Sequence, residues 1–357
     1  MRAMRSDYMH WAKFKPPVRY PLTMSEVRHF RMDSLPISIA DLDLDGATHP
    51  RYRPLREAIA RRYGVSVEQV VTADGTSMAN FLVMATLISP GDEVLMEHPT
   101  YELLLGAASF LGANIRRFER KAEDGFRLDP EQVASMLMPN TRLIVLTNLH
   151  NPTGVLAREE ELRSIGALAA AVGARVLIDE VYLDSAVPPR ESAVHLGREF
   201  VCTNSLTKVY GLSGLRCGWI LAEPELAERM WRLNDLFGVN QAHPAERLAC
   251  IAFDRIDQVI GDNPAMLARN RQRWNDFIGS RDDLECAPAE HGITTFPRWR
   301  GGDTERLDAD LQERYDTAVG PGRWFEMPDH FRVGFGLPTS EFEEALSRLG
   351  AALDDFK

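Results

Sequence analysis

Ser205-Leu206-Thr207-Lys208-Val209-Tyr210-Gly211-Leu212-Ser213-Gly214-Leu215-Arg216-Cys217-Gly218 is the stretch from which the rest of the chain is read. A lysine flanked by hydroxyl residues and followed by three glycines and an arginine describes a turn that brings an amine near an anion-binding position. By itself it reads equally as a Gly-rich loop with tight geometry and a solvated lysine. Two upstream segments shift the balance. Asn151-Pro152-Thr153-Gly154 follows the apolar run 143–146, and Asp179-Glu180-Val181-Tyr182 follows directly on the run 176–178. Ligands of open α/β sheets sit outside the carboxyl ends of the strands, so both sets of side chains are expected to project into one crevice with the lysine.

The wider pattern agrees. From about residue 54 helical and strand-like segments alternate, the signature of a mostly parallel sheet flanked by helices. Residues 55–63 and 78–87 read as helices, the second opening after Asp74, Gly75, Thr76 and Ser77. The apolar runs 93–96, 115–118, 143–146 and 176–178 are too short for helices and read as buried strands, with 157–172 a helical crossover and 217–221 a further apolar run. Long helices follow from 224 to about 281, interrupted at Pro244 and Pro264, and 292–357 reads as a small α+β layer of two or three strands with two helices. At 357 residues the chain exceeds one ordinary core. The expected division is a large domain over 45–250 and a small one built from 1–44 and 251–357.

Composition excludes several classes of function. With 52 acidic against 41 basic residues, the net charge of -11 repels phosphate backbones and anionic lipid surfaces, so neither nucleic acid nor membrane is an expected partner. Cys202, Cys217, Cys250 and Cys286 form no disulfide framework, and no Cys/His spacing suits zinc, so no metal is expected and a reducing cytoplasm fits. Residues 1–20 mix charged residues with aromatics and lack the continuous apolar core of a signal peptide, so the protein is expected to be cytoplasmic. Lys13, Lys15, Lys121, Lys208 and Lys357 are the only lysines, and of these Lys208 alone lies in a largely apolar mid-chain stretch.

One at a time, the candidate residues have plain readings. Asp179 caps a turn, Thr76 and Ser77 cap a helix, Tyr101 and Tyr182 pack in a core, and Arg332 sits on a surface strand. Together they do not. Asn-Pro-Thr-Gly, Asp-x-x-Tyr and Ser-x-x-Lys followed eight residues later by Arg, in this order, resemble the fold type I pyridoxal-phosphate enzymes. Specifically, the chain from about residue 55 onward is similar to the class I/II aminotransferases related to aspartate aminotransferase.

The resemblance implies a role for each residue. Lys208 forms a Schiff base with pyridoxal 5'-phosphate and later moves the substrate's Cα proton. Asp179 keeps the ring nitrogen protonated, and Tyr182 and Asn151 bond the ring's phenolic oxygen. Thr76, Ser77, Ser205 and Arg216 cradle the phosphate, the first two at a helix N-terminus. Tyr101 stacks on the ring. Arg332, in Phe331-Arg332-Val333-Gly334-Phe335-Gly336, grips the substrate α-carboxylate, with Asn151 alongside and residues 37–40 on the substrate side. The implied activity is transfer of an α-amino group from an amino acid to a 2-oxo acid by a homodimer.

Departures accompany the likeness. Residues 48–54 are shortened where relatives carry a tyrosine that reaches the neighbouring subunit's phosphate, which leaves Tyr52 open in that role, and no second arginine for a dicarboxylate side chain stands out. His150 reads as a structural neighbour of Asn151. The stretch Gly292-Ile293-Thr294-Thr295-Phe296-Pro297-Arg298 is similar to that of amino acid cyclases of the capreomycidine synthase type, so a lyase or cyclase is the alternative.

Overall fold

The computed structural model describes residues 4–44 and 46–356; the expected domain boundary at 45 and Lys357 lie outside them. A seven-stranded sheet occupies the middle of the chain: β1 (Val70–Asp74), β2 (Glu93–His98), β3 (Asn114–Glu119), β4 (Thr141–Thr147), β5 (Arg175–Asp179), β6 (Phe200–Ser205) and β7 (Cys217–Leu221). Their order is β1-β7-β6-β5-β4-β2-β3. β7 runs antiparallel to both neighbours, and all other pairings are parallel. Helices cover both faces, which explains why the strands read as unbroken apolar runs. Ile144, Val176 and Ile178 point into one core, while the alternating Leu143, Val145 and Leu177 point into the other.

Two strands escaped the reading of apolar runs. β1 and β6 end in polar residues, yet Thr203, Asn204 and Ser205 are all buried, because the end of β6 forms a cleft floor and not a core. The helix expected at 78–87 begins at Gly75 and ends at Leu87, so Thr76 and Ser77 lie in its first turn. Gly75 has φ 78° and leaves no room for a Cβ against Arg216; Gly218 likewise lies against the Gly75 backbone. Pro244 and Pro264 start helices His243–Asp254 and Asn263–Gly279 instead of interrupting them, since a missing N–H costs nothing in a first turn. The crossover helix is Glu159–Val172.

Toward the C-terminus, Thr294–Thr295, Gly320–Pro321 and Phe331–Gly334 make a small antiparallel sheet, backed by helices Thr304–Arg314 and Thr339–Asp355. The N-terminal residues join it. Tyr20–Pro21 pairs with Thr317–Ala318, and the preceding helix Asp7–Phe14, capped by the Ser6 hydroxyl, packs Tyr8 and Trp11 against Trp324. No helix among the described residues is long and apolar enough to cross a membrane.

Candidate active site

A cavity of about 810 Å³ opens at the carboxyl ends of β4, β5 and β6 and is closed from above by the N-terminal helix. Among its walls are Thr76, Ser77, Tyr101, Asn151, Asp179, Tyr182, Ser205, Lys208, Arg216 and Arg332, so the structure brings these ten side chains into one space. Topology explains the company of Lys208 and Arg216. The loop after β6 carries the lysine, and because β7 returns antiparallel, its first residues come back to the edge that β6 has just left.

Asp179 ends β5 and is buried. Asn80 Nδ2 donates to its Oδ2 at 2.7 Å and the Val181 amide to its Oδ1 at 3.0 Å. Burial pushes the carboxyl up to about 6, held back by those donors and by the Lys208 charge. For Lys208, burial pulls the pKa down, but Tyr182, Glu26 and Tyr8 together outweigh it and the amine ends above its ordinary value. Its Nζ donates to Ser25 Oγ at 3.3 Å and lies 3.6 Å from Glu26 Oε2. The Tyr182 hydroxyl donates to the Ser25 carbonyl at 3.0 Å.

Arg332 is 2% exposed, which removes the surface-strand reading. Its Nη1 donates to Asn151 Oδ1 at 3.3 Å, and Nη2 donates to the Tyr8 hydroxyl at 3.1 Å and the Thr23 carbonyl at 3.3 Å. Its Nε is buried without a partner. Arg216, held at φ 49°, donates from Nη2 to the Asp74 carbonyl at 3.1 Å, beside the first turn of the helix Gly75–Leu87. Thr76 Oγ1 in that turn is also buried without a partner. The Tyr101 ring stands edge-on to Tyr8, with centroids 5.7 Å apart.

Several supporting residues carried no sequence signal. Asn80 reads as one polar residue in an apolar helix, yet it bridges Asp179 and Thr203, whose Oγ1 donates to Asn80 Oδ1 at 2.6 Å. Thr23, Ser25, Glu26 and Tyr8 belong to segments with no motif. Glu97 and Arg120 form a buried ion pair of 3.0 Å, and Glu97 also accepts from the Thr147 amide and hydroxyl, fixing the strand end that leads to Asn151. His150 bonds Thr153 Oγ1 and the Pro99 carbonyl, and burial holds its imidazole well below the usual range, so it remains neutral and structural. Residues 21–26, not 37–40, line the cleft; Ile39 is 78% exposed. Tyr52 is buried, its hydroxyl accepting from Arg247 Nη1 at 3.2 Å.

These features fit a phosphorylated pyridine aldehyde on three separate counts. The unpartnered Thr76 hydroxyl lies in a helix's first turn beside a guanidinium, which suits a phosphate; a buried carboxyl suits a ring nitrogen; a half-buried amine opening on the cavity suits a carbonyl. A helix-flanked, mostly parallel sheet with such a cleft defines a fold type I pyridoxal-phosphate enzyme. The chain belongs to the aminotransferase class I and II family, whose model matches residues 43–349. It is 32% identical to capreomycidine synthase of Streptomyces vinaceus, over 84% of this chain and 78% of that protein. It is 29% identical to histidinol-phosphate aminotransferase of Halorubrum lacusprofundi, over 84% and 79%. The solved PLP-dependent cyclase OrfR superposes with a TM-score of 0.89 at 27% identity, over 99% of both chains.

Proposed function

We propose that the protein is an aminotransferase that passes the α-amino group of an amino acid to a 2-oxo acid by way of Lys208. The observation that carries this reading is the convergence of a half-buried amine, a buried carboxyl and a buried guanidinium with a free Nε on one cavity. Pyridoxal phosphate, when bound, supplies a carbonyl that condenses with amines and a ring that draws electrons from Cα.

In this reading Thr76, Ser77, Ser205 and Arg216 would hold the phosphate, Asp179 would serve the ring nitrogen, Asn151 and Tyr182 the ring oxygen, and Tyr101 the ring face. Arg332 Nε, together with its two terminal nitrogens, orients the substrate carboxylate, and Asn151 and Tyr8 hold the guanidinium at that angle. Lys208 Nζ takes the proton from the substrate Cα and holds it. Glu26 and Tyr182 favour the protonated amine once it has done so. The helix Asp7–Phe14 contributes Tyr8, Met9 and Trp11 to one wall of the cavity. The large unit is assigned to 45–250 and the small one to 1–44 with 251–357. A homodimer completes the reading, supported by the adjoining rings of Phe81, Phe110 and Phe237, of which the last two are exposed.

A second reading, an amino acid cyclase or lyase using the same Cα deprotonation, is favoured by the 32% identity to capreomycidine synthase. One experiment separates them: the holoenzyme is incubated with single amino acids and 2-oxo acids, and products are followed by mass spectrometry. A new amino acid paired with a new 2-oxo acid supports transamination. A cyclised product, or pyruvate with ammonia, supports the second reading and overturns the first.

A further inference from the structure

The proposed function, on which this inference rests, gives most cleft charges a partner: Asp179 faces the ring nitrogen, Arg216 the phosphate and Arg332 the carboxylate. Lys13, Lys15 and Glu26 remain, and Lys13 is exposed to solvent. Lys15 has company of its own. Burial pushes its amine down to about 8, it donates to the Thr23 hydroxyl, and the buried Asp308 carboxyl opposes its charge. Glu26 differs. The cation placed against its carboxylate is Lys208, 3.6 Å away, and the side chain is only 23% exposed.

That pairing fails when it is most needed. To take a Cα proton Lys208 must be an uncharged amine, and the Glu26 carboxylate then loses the cation 3.6 Å from it. The backbone that carries this carboxylate is held in place. The Gly334 amide donates to the Leu22 carbonyl at 2.7 Å and the Val27 amide to the Lys208 carbonyl at 3.0 Å, while Gly336 lies too close to the Glu26 carbonyl to admit a Cβ. Segment 22–27 is thus pinned at both ends.

Its path matters too. The Thr23 carbonyl touches Arg332 and the Ser25 hydroxyl touches Lys208, so the segment runs from where a substrate carboxylate is held to where its amine reacts. Glu26 lines the same cavity wall, so a substrate side chain that leaves Cα toward this wall would come within reach of its carboxylate. We propose that Glu26 is a specificity-determining residue that receives a guanidinium or ammonium group on the substrate side chain, so that the amino donor is a basic amino acid. A cationic side chain would replace Lys208 as the partner of Glu26 and lift the charge that keeps the lysine protonated, coupling correct binding to a competent base.

The test uses the holoenzyme with L-arginine, L-citrulline and L-alanine. Citrulline matches arginine in shape but carries a neutral urea. Dissociation constants are read from the cofactor's absorbance and independently by calorimetry. The wild type is expected to bind L-arginine about tenfold or more tightly than L-citrulline, Glu26→Gln to collapse that ratio, and Glu26→Asp to preserve most of it. Equal binding of the two by the wild type, or an unchanged ratio in a folded Glu26→Gln protein, overturns the assignment of Glu26 alone. An absorbance that other single amino acids alter and L-arginine does not overturns this inference and leaves the proposed function standing; an absorbance that no amino acid alters overturns both. Should Glu26→Gln fail to fold, loss of the wild-type preference at high salt supports the ion pair, and a salt-independent preference overturns it.

Discussion

Asn80→Ala tests how the central carboxylate is held. Asn80 Nδ2 donates to Asp179 at 2.7 Å, and its Oδ1 accepts from Thr203 Oγ1 at 2.6 Å, all within a buried layer between the helix Gly75–Leu87 and the sheet. Removing a hydrogen bond to a charged group is worth about 1.5–3 kcal/mol, and the Thr203 hydroxyl loses its acceptor as well. One pKa unit corresponds to about 1.36 kcal/mol, so Asp179, already near 6, should rise by roughly one unit or more. A protonated Asp179 has no charge to offer a ring nitrogen. Equilibrium dialysis of the apoprotein against pyridoxal phosphate should therefore show affinity about fivefold or more below wild type at pH 6, with a much smaller deficit at pH 8. Wild-type affinity at both values, in a variant that melts as a single transition, would refute the reasoning.

Other outcomes follow from the same geometry. Lys208→Ala should prevent borohydride from fixing the cofactor to the protein, read by intact mass; a persisting adduct would move the imine to another lysine. Arg332→Lys keeps the charge but loses the planar fork, so the dissociation constant of amino donors should rise about tenfold or more while cofactor content holds. Loss of cofactor to the same degree would remove Arg332 from the substrate. Glu180 is 1% exposed and burial pushes it up to about 7, against 4.5 when free. The folded state therefore binds the proton more tightly, and stability falls as pH rises from about 4.5 to 7. The gap amounts to about 3 kcal/mol. Glu180→Gln should flatten that part of the apoprotein's urea-melting profile, and an unchanged slope would show that Glu180 does not titrate in this window.

Phe81, Phe110 and Phe237 bear on assembly: light scattering should report a dimer for the wild type and a smaller species for Phe237→Asp, and a monomeric wild type would remove the homodimer from the proposed function.

The sequence by itself determined the sheet class and the chemical centre. Strands buried on both faces appear as short apolar runs and the residues at their carboxyl ends share a crevice, so Asn151, Asp179 and Lys208 were legible as one group from their order, once the family resemblance gave each a role. Tertiary structure decided what no local pattern encodes. β6 hides behind its polar end because that end floors a cleft. Asn80 matters only because the helix Gly75–Leu87 lies against β5 and β6, and Arg332 is buried only because the N-terminal helix folds over it from more than 300 positions away. Tyr8, Thr23, Ser25 and Glu26 meet the lysine and the arginine through long-range packing, where physical proximity leaves no periodicity in the chain for a reader to find.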